Sequence, residues 1–272
     1  MPTAIVLTLR PLHQATLMPD LGRAAHAAVL GWIRATDPDL AMRLHDDSAV
    51  RPLTVTFLPE RHGQPPLVAD PRIRYGLRVT ALTSEVEAHI QSWTPEFLGT
   101  LAIGGAAWQI ESIHDTAHTW AGHTTYAALV EEGIRIAATG VRRWTLDFTT
   151  PVTFRQRGRS QPLPLPDLVF GSLLERWNAC APLPIPEDVR LFIAESLAVS
   201  RFAIESAAGR GKGNVLQIGT IGRCSYTALA HEPMQIATIE TLVRFGFYSG
   251  IGAGTTRGFG LLRLTDERSV VR

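Results

Sequence analysis

Between residues 250 and 260 the chain reads Gly-Ile-Gly-Ala-Gly-Thr-Thr-Arg-Gly-Phe-Gly, five glycines in eleven residues. The run follows the aromatic stretch Phe245-Gly-Phe-Tyr248 and precedes an alternating tail, Leu261-Leu-Arg-Leu264. Lacking a Cβ, glycine reaches positive φ cheaply and lets another backbone come close. A sharply turning segment must therefore be accommodated in the fold. Two uses fit. The run is either a tight connection between two core elements, or a loop that aims consecutive N–H groups at a phosphate with the planar guanidinium of Arg257 beside them. The second use makes Gly250, Gly252, Gly254, Arg257, Gly258 and Gly260 candidate anion-binding residues. A dinucleotide-binding turn fits poorly, because that motif needs a strand before it, a helix after it and an acidic residue further on.

Hydrophobic periodicity supplies the frame. Ala4–Leu9 alternates as a strand, and Leu21 to Ala35 carries apolar residues at helical spacing with Asp20 placed to cap it. Pro38 opens a short helix to His45. Pro52–Leu58 and Ile73–Leu82 read as strands around a proline-rich loop over 59–71, Glu85–Phe97 as a helix and Ala106–His114 as a strand. Strand, helix, two strands, helix, strand is the order of a ferredoxin-like unit. A second set follows. Tyr126–Ala138 reads as a connecting helix, Trp144–Phe148 as a strand, Arg155–Gln161 as a basic hairpin tip, and Leu168–Ala179 and Pro186–Leu197 as helices. Ala198–Glu205, Leu216–Tyr226 and Leu261–Leu264 read as strands, with Glu232–Phe247 helical. The expected fold is α+β, two ferredoxin-like domains in tandem, residues 1–125 and 126–272.

Composition narrows the partners. Hydrophobic residues make up 45% and charged residues 19% of 272, the proportions of an ordinary globular chain rather than a disordered one. No apolar run approaches the roughly 18 residues of a membrane helix. The N-terminus starts directly as a strand without a basic signal region, so a cytoplasmic location is expected. Net charge is only +1, yet patches rather than totals decide polyanion binding. Lys212 is the single lysine among 26 basic residues, leaving 25 arginines, the side chain suited to bidentate phosphate contact.

The chemistry candidates are imidazoles and guanidiniums. His45 ends its helix beside Asp46 and Asp47, where it fits either a capping role or general acid–base work. His26 lies three residues after Arg23 and shares its helix face. His114, His118 and His123 cluster loosely around Trp120, but the spacing is poor for a metal and a structural role is favoured. Arg155, Arg157 and Arg159 form a basic run that reads as a solvated hairpin tip, and Lys212 offers similar chemistry on a glycine turn. No Gly-x-Ser-x-Gly elbow supports a serine hydrolase, and no glycosidase-like carboxylate pair is identifiable.

The spacing Gly-hydrophobic-Gly, five residues, Gly-Phe-Gly resembles the signature of the CRISPR RAMP endoribonucleases that cut precursor CRISPR RNA. Further pieces are similar to that family and keep its order from about residue 21 to residue 264. They are Leu40-Ala-Met-Arg-Leu44-His45-Asp46 with Arg51-Pro52-Leu-Thr54, Leu146-Asp-Phe-Thr-Thr-Pro151-Val-Thr-Phe154-Arg155, Pro164-Leu-Pro166 with Ser172-Leu-Leu-Glu-Arg176-Trp177-Asn178, and Ile218-Gly219-Thr-Ile-Gly222-Arg223. The resemblance implies the same tandem fold and a metal-independent, cofactor-free cut in CRISPR repeat RNA that yields mature guide RNA. In such a cut the 2′-hydroxyl attacks, leaving a 2′,3′-cyclic phosphate and a 5′-hydroxyl. It implies His45 as the proton-transfer residue with His26 as the alternative, Arg23 and Arg51 as charge stabilisers, and the glycine loop, the hairpin arginines, Lys212 and Arg223 as RNA contacts. Relatives with a tyrosine in the first helix have no counterpart here, where that region offers Leu30. A non-catalytic RAMP subunit that holds guide RNA in a CRISPR effector complex shares these features, and a small-molecule-binding ferredoxin-like protein is a more distant alternative. Monomer and homodimer both fit.

Overall fold

The computed structural model describes residues 1–18, 21–46, 50–59, 67–210 and 216–265. The expected cap at Asp20, the turn carrying Lys212 and most of the 59–71 loop lie outside the described residues. The first half comprises β1 (Thr3–Pro11), β2 (Ala15–Thr16), α1 (Leu21–Thr36), α2 (Pro38–Asp46), β3 (Leu53–Phe57), β4 (Val68–Ala69), β5 (Tyr75–Ala81), α3 (Ser84–Gln91), α4 (Pro95–Leu98), β6 (Thr100–Ile103), β7 (Ala106–His114) and β8 (Gly122–His123). The second comprises α5 (Tyr126–Ala137), β9 (Arg143–Val152), β10 (Phe154–Gln156), β11 (Arg159–Gln161), α6 (Pro166–Cys180), α7 (Val189–Ser196), β12 (Leu197–Arg210), β13 (Leu216–Ala228), α8 (Pro233–Ser249), a 3₁₀ turn at Thr255–Arg257 and β14 (Leu262–Thr265).

The two sheets repeat one topology. In the first, the strands lie in the order β3-β5-β1-β7-β6, with β8 added to the start of β1. In the second, the order is β12-β13-β9-β14. Numbered along the chain, each set of four main strands is arranged second-third-first-fourth, and neighbours pair antiparallel. Both halves are therefore ferredoxin-like.

Although β3 ends the strand order of the first sheet, its composition reflects burial. All five residues of β3, Leu-Thr-Val-Thr-Phe, are buried, so its threonines are sealed in rather than facing water. Strand β3 contacts α1 of its own half and α8 and the 3₁₀ turn of the second half. Thr54 and Thr80 hydrogen-bond each other across the sheet at 2.6 Å, which satisfies both hydroxyls there. Each half has its own apolar core, one around Trp108 and one around Trp144, Phe148 and Trp177.

Several elements differ from the expectation. The helix expected over 85–97 is two helices, because Pro95 disfavours helix at the residue before it and Thr94 instead caps α4, accepting from the Phe97 N–H at 3.2 Å. Strand β6 was not anticipated; a Gly104-Gly105 turn, with φ of +63° and +87°, folds it back onto β7. Strand β12 runs to Arg210 instead of Glu205. Its small residues 206–209 look weak as a strand, but β13 pairs with them throughout, from Ser206 opposite Thr220 to Gly209 opposite Gln217.

Candidate functional site

The glycine run leaves α8 and turns back to β14, and most of its amides are spent inside the protein. The Gly250 N–H donates to Gly246 O at 2.9 Å, Gly258 N–H to Val55 O at 2.9 Å and Gly260 N–H to Pro151 O at 3.0 Å. Gly252 N–H donates to Ser172 Oγ at 2.9 Å, and Arg257 N–H to Gly254 O at 2.8 Å. The structure thus corrects the picture of consecutive amides aimed at a phosphate: these groups cannot serve an outside ligand while bonded internally. Gly260 shows why glycine is required. Its φ is +73°, and any Cβ would overlap the Ile251 carbonyl.

The loop's work is to carry one side chain to the other half. A Cβ on Gly22 of α1 would overlap the Arg257 carbonyl, so the helix and the turn touch backbone to backbone there. The Gly258–Val55 hydrogen bond fixes the turn to β3 as well. Arg257 consequently stands at the seam of the two halves. Burial, Arg51 and Arg155 all press its guanidinium toward a lower pKa, so three cations share one neighbourhood.

They line a groove of about 680 Å³. Arg51 comes from the first half; Arg155, Arg257 and the polar face of α6 come from the second. His26, on α1, adjoins the same cluster. Its ring is largely buried, its Nε2 has no hydrogen-bond partner, and its pKa is lowered to about 4 by burial and then by Arg51, Arg257 and His45. His45 is exposed in the last turn of α2, and Arg51 Nη2 donates to its carbonyl at 3.0 Å. The fold therefore gathers His26, His45, Arg51, Arg155 and Arg257, residues up to 231 positions apart in sequence (257 − 26). Arg23 is exposed on α1, one turn before His26.

Other candidates lie elsewhere. Arg157 and Arg159 border a separate concavity at the tip of the β10–β11 hairpin. Arg223 lies on β13, 4.0 Å from Asp147, and does not line the groove. The histidines around Trp120 have distinct partners. His114 Nε2 is 3.0 Å from both Thr8 and Ser112 hydroxyls, His118 Nδ1 accepts the Trp120 N–H at 3.1 Å, and His123 Nδ1 meets Thr3 and Glu87. Among the described residues no group of three His, Cys, Asp or Glu is arranged to hold a metal ion.

Sequence reasoning missed two buried arginines that brace the end of α8, of which Arg176 also lines the groove. Arg176 donates from Nη1 to Ser249 O at 3.3 Å and from Nη2 to Gly252 O at 2.7 Å. Arg78, 1% exposed, donates from Nε to Trp120 O at 2.8 Å and from Nη2 to Phe247 O at 2.6 Å. Burial lowers their pKa values to about 10 and about 9. Both satisfy carbonyls at the C-terminal end of α8, where a helix leaves acceptors unpaired and a partial negative charge. An arginine inside an apolar strand was the available signal for Arg78; nothing local names its partners.

Residues 146–262 match the family model for the CRISPR-associated endoribonuclease Cas6. A Cas6 product complex aligns with a TM-score of 0.79 and 26% identity, over 97% of this chain and 99% of that one. Along nearly its whole length the chain is similar in fold to Cas6. A Cas6 of Thermus thermophilus aligns at 0.73 and 25% identity, over 97% of this chain and 98% of that one. The CRISPR-associated endoribonuclease Cas6 of Mycobacterium tuberculosis is 28% identical over 124 residues, 45% of this chain. The match spans only 39% of that relative's length. The matched Cas6 segment runs from β9 to β14 and holds the glycine loop, Arg155 and Arg176; the groove's remaining wall, with Arg51, His26 and His45, lies before it.

Proposed function

We propose that this chain is a metal-independent endoribonuclease that cuts CRISPR repeat RNA into guide RNAs. The observation that carries this reading is the groove at the seam, where Arg51, Arg155 and Arg257 converge next to two imidazoles. Three guanidiniums held together repel one another, and a phosphodiester backbone relieves that repulsion. Residues 1–125 supply the imidazoles and residues 126–272 most of the RNA-holding surface, a division supported by α5 contributing Tyr126 and Leu129 to the second core.

The chemistry follows from what the groove presents. Bound RNA lies with one 2′-hydroxyl in line with the adjacent phosphorus, so attack is intramolecular. The bond from the 2′-oxygen to phosphorus forms as the bond to the 5′-oxygen breaks. His45 takes the 2′ proton and returns a proton to the departing 5′-oxygen, with His26 as the alternative for this role. Arg51, aided by Arg23, offsets the charge that builds on the phosphorane. The products are a 2′,3′-cyclic phosphate and a 5′-hydroxyl. Cleavage in the cytoplasm, and hand-over of product to a CRISPR effector complex, accord with this reading; among the described residues no helix is long and apolar enough to cross a membrane.

Purified protein incubated with repeat RNA in excess EDTA tests the proposal. A single cut with those two termini is expected. Tight binding of RNA that stays intact would instead identify a non-catalytic RNA-holding subunit.

A further inference from the structure

One end of the groove has a chemistry that phosphate binding does not explain. Asp167, Gly171 and Glu175 recur every four residues on α6 and share one face, and all three line the groove. Half-exposed carboxylates repel a polyanion, so a groove that only held phosphates would not carry them. Arg190 of α7 reaches over the same face. Its Nε is held by the Glu187 carboxylate, and its Nη2 lies 3.8 Å from Glu175 Oε1. Its Nη1 lies 3.3 Å from where a Cβ on Gly171 would stand. A glycine inside a helix is destabilising relative to alanine; at 171 it leaves the helix face flat and clears the arginine. The same lining includes Gly252, Ala253 and Gly254 of the glycine loop.

The result is a slot along the flat face of α6 at Gly171, with a carboxylate beside a braced guanidinium. Both side chains remain open to the groove, at 62% exposure for Glu175 and 43% for Arg190. A flat ring with hydrogen-bonding atoms along one edge fits such a slot. A carboxylate accepts two hydrogen bonds side by side and a guanidinium donates. Among the four RNA bases, guanine alone presents two neighbouring donors, N1–H and the 2-amino group, next to an acceptor, O6. Adenine and cytosine offer the carboxylate a single amino group, and uracil a single N–H. Single-stranded bases are commonly read on this edge.

We propose that Glu175 and Arg190 form a guanine-reading subsite, in which Glu175 accepts from N1–H and the 2-amino group of one base of the bound RNA while Arg190 donates to its O6. This rests on the groove holding RNA. The test is selection from a random single-stranded RNA pool by the wild-type protein, by Glu175→Gln and by Arg190→Lys, each measured for affinity and salt dependence. The wild type is expected to enrich guanine at one position. Inosine there, lacking the 2-amino group, should weaken binding about tenfold. Both variants should lose the preference while binding the pool within about threefold of wild type, because the guanidinium cluster is untouched. Salt-sensitive RNA binding with no enriched guanine, or a guanine preference unchanged in Glu175→Gln, overturns the subsite alone. Absence of RNA binding overturns the RNA reading and the subsite with it.

Discussion

Wedged beside two guanidiniums and a second imidazole, His26 keeps its ring neutral down to about pH 4, well below its ordinary 6.5. The unfolded chain therefore binds a proton that the folded chain refuses between those two values. Stability from this residue is complete above about pH 6.5 and is lost as pH falls through the window toward 4. The expected difference is on the order of 3 kcal/mol, and His26→Gln should flatten that part of the pH dependence of denaturant unfolding. At pH 7 His26 is neutral, so it can take up a proton but is not in the imidazolium form that would act as a general acid. Replacing His45 by alanine is expected to slow single-turnover cleavage at least ~10²-fold with RNA affinity retained; an unchanged rate would move proton transfer to His26. At this scale the sequence was partly legible. The residue types and the flanking motifs marked His45, Arg51 and Arg257, because imidazole and guanidinium chemistry is carried by the side chain alone. Arg190, Glu175 and Arg78 were not legible, because their meaning depends on which distant groups the fold places beside them.

The β10–β11 hairpin shows the same division among elements. Its basic tip was visible in Arg155-Gln-Arg157-Gly-Arg159, but not the backbone. Arg157 and Gly158 have φ of +50° and +75°, the two-residue turn whose twist matches the flanking strands. Gly158 suits that geometry, whereas an arginine in a left-handed conformation costs about 1 kcal/mol. Arg157→Gly should therefore leave stability unchanged or raise it by up to ~1 kcal/mol in thermal unfolding, while weakening RNA binding; equal affinity would remove Arg157 from the RNA surface. Helix and strand order was readable because each element has a buried stripe of its own. The strand β6 and the far end of β12 were not, since Gly-Gly turns and runs of small residues become strand only when a partner strand supplies the hydrogen bonds. Likewise, the glycine spacing announced unusual backbone angles without saying whether the amides would face a ligand. They face Gly246, Pro151 and Val55.

For the molecule as a whole, the seam is where substitutions should be felt most. Gly22→Ala thrusts a methyl group into the Arg257 carbonyl. A loss of about 1–3 kcal/mol is expected from forced overpacking, together with weaker RNA binding as Arg257 shifts; intact affinity in calorimetry would show that the backbone contact does not position the groove. Log affinity should fall with log salt, and Arg155→Ala should make that slope shallower by about 0.7, one single-strand phosphate contact. The pairing of halves was legible only as two similar element orders. Their docking was not, because it depends on Arg78 reaching the end of α8, 169 positions away. There its guanidinium lies 4.7 Å over the Phe247 ring, Phe247 stacks on Trp120 at 5.9 Å, and Arg263 covers Trp120 at 3.9 Å. This interleaving limits how the gene can recombine. A chimera that takes its opening segment from a relative with an aliphatic side chain at position 78 would inherit two stranded carbonyls and a broken ladder of rings, so lineages of this architecture should exchange whole copies rather than single modules.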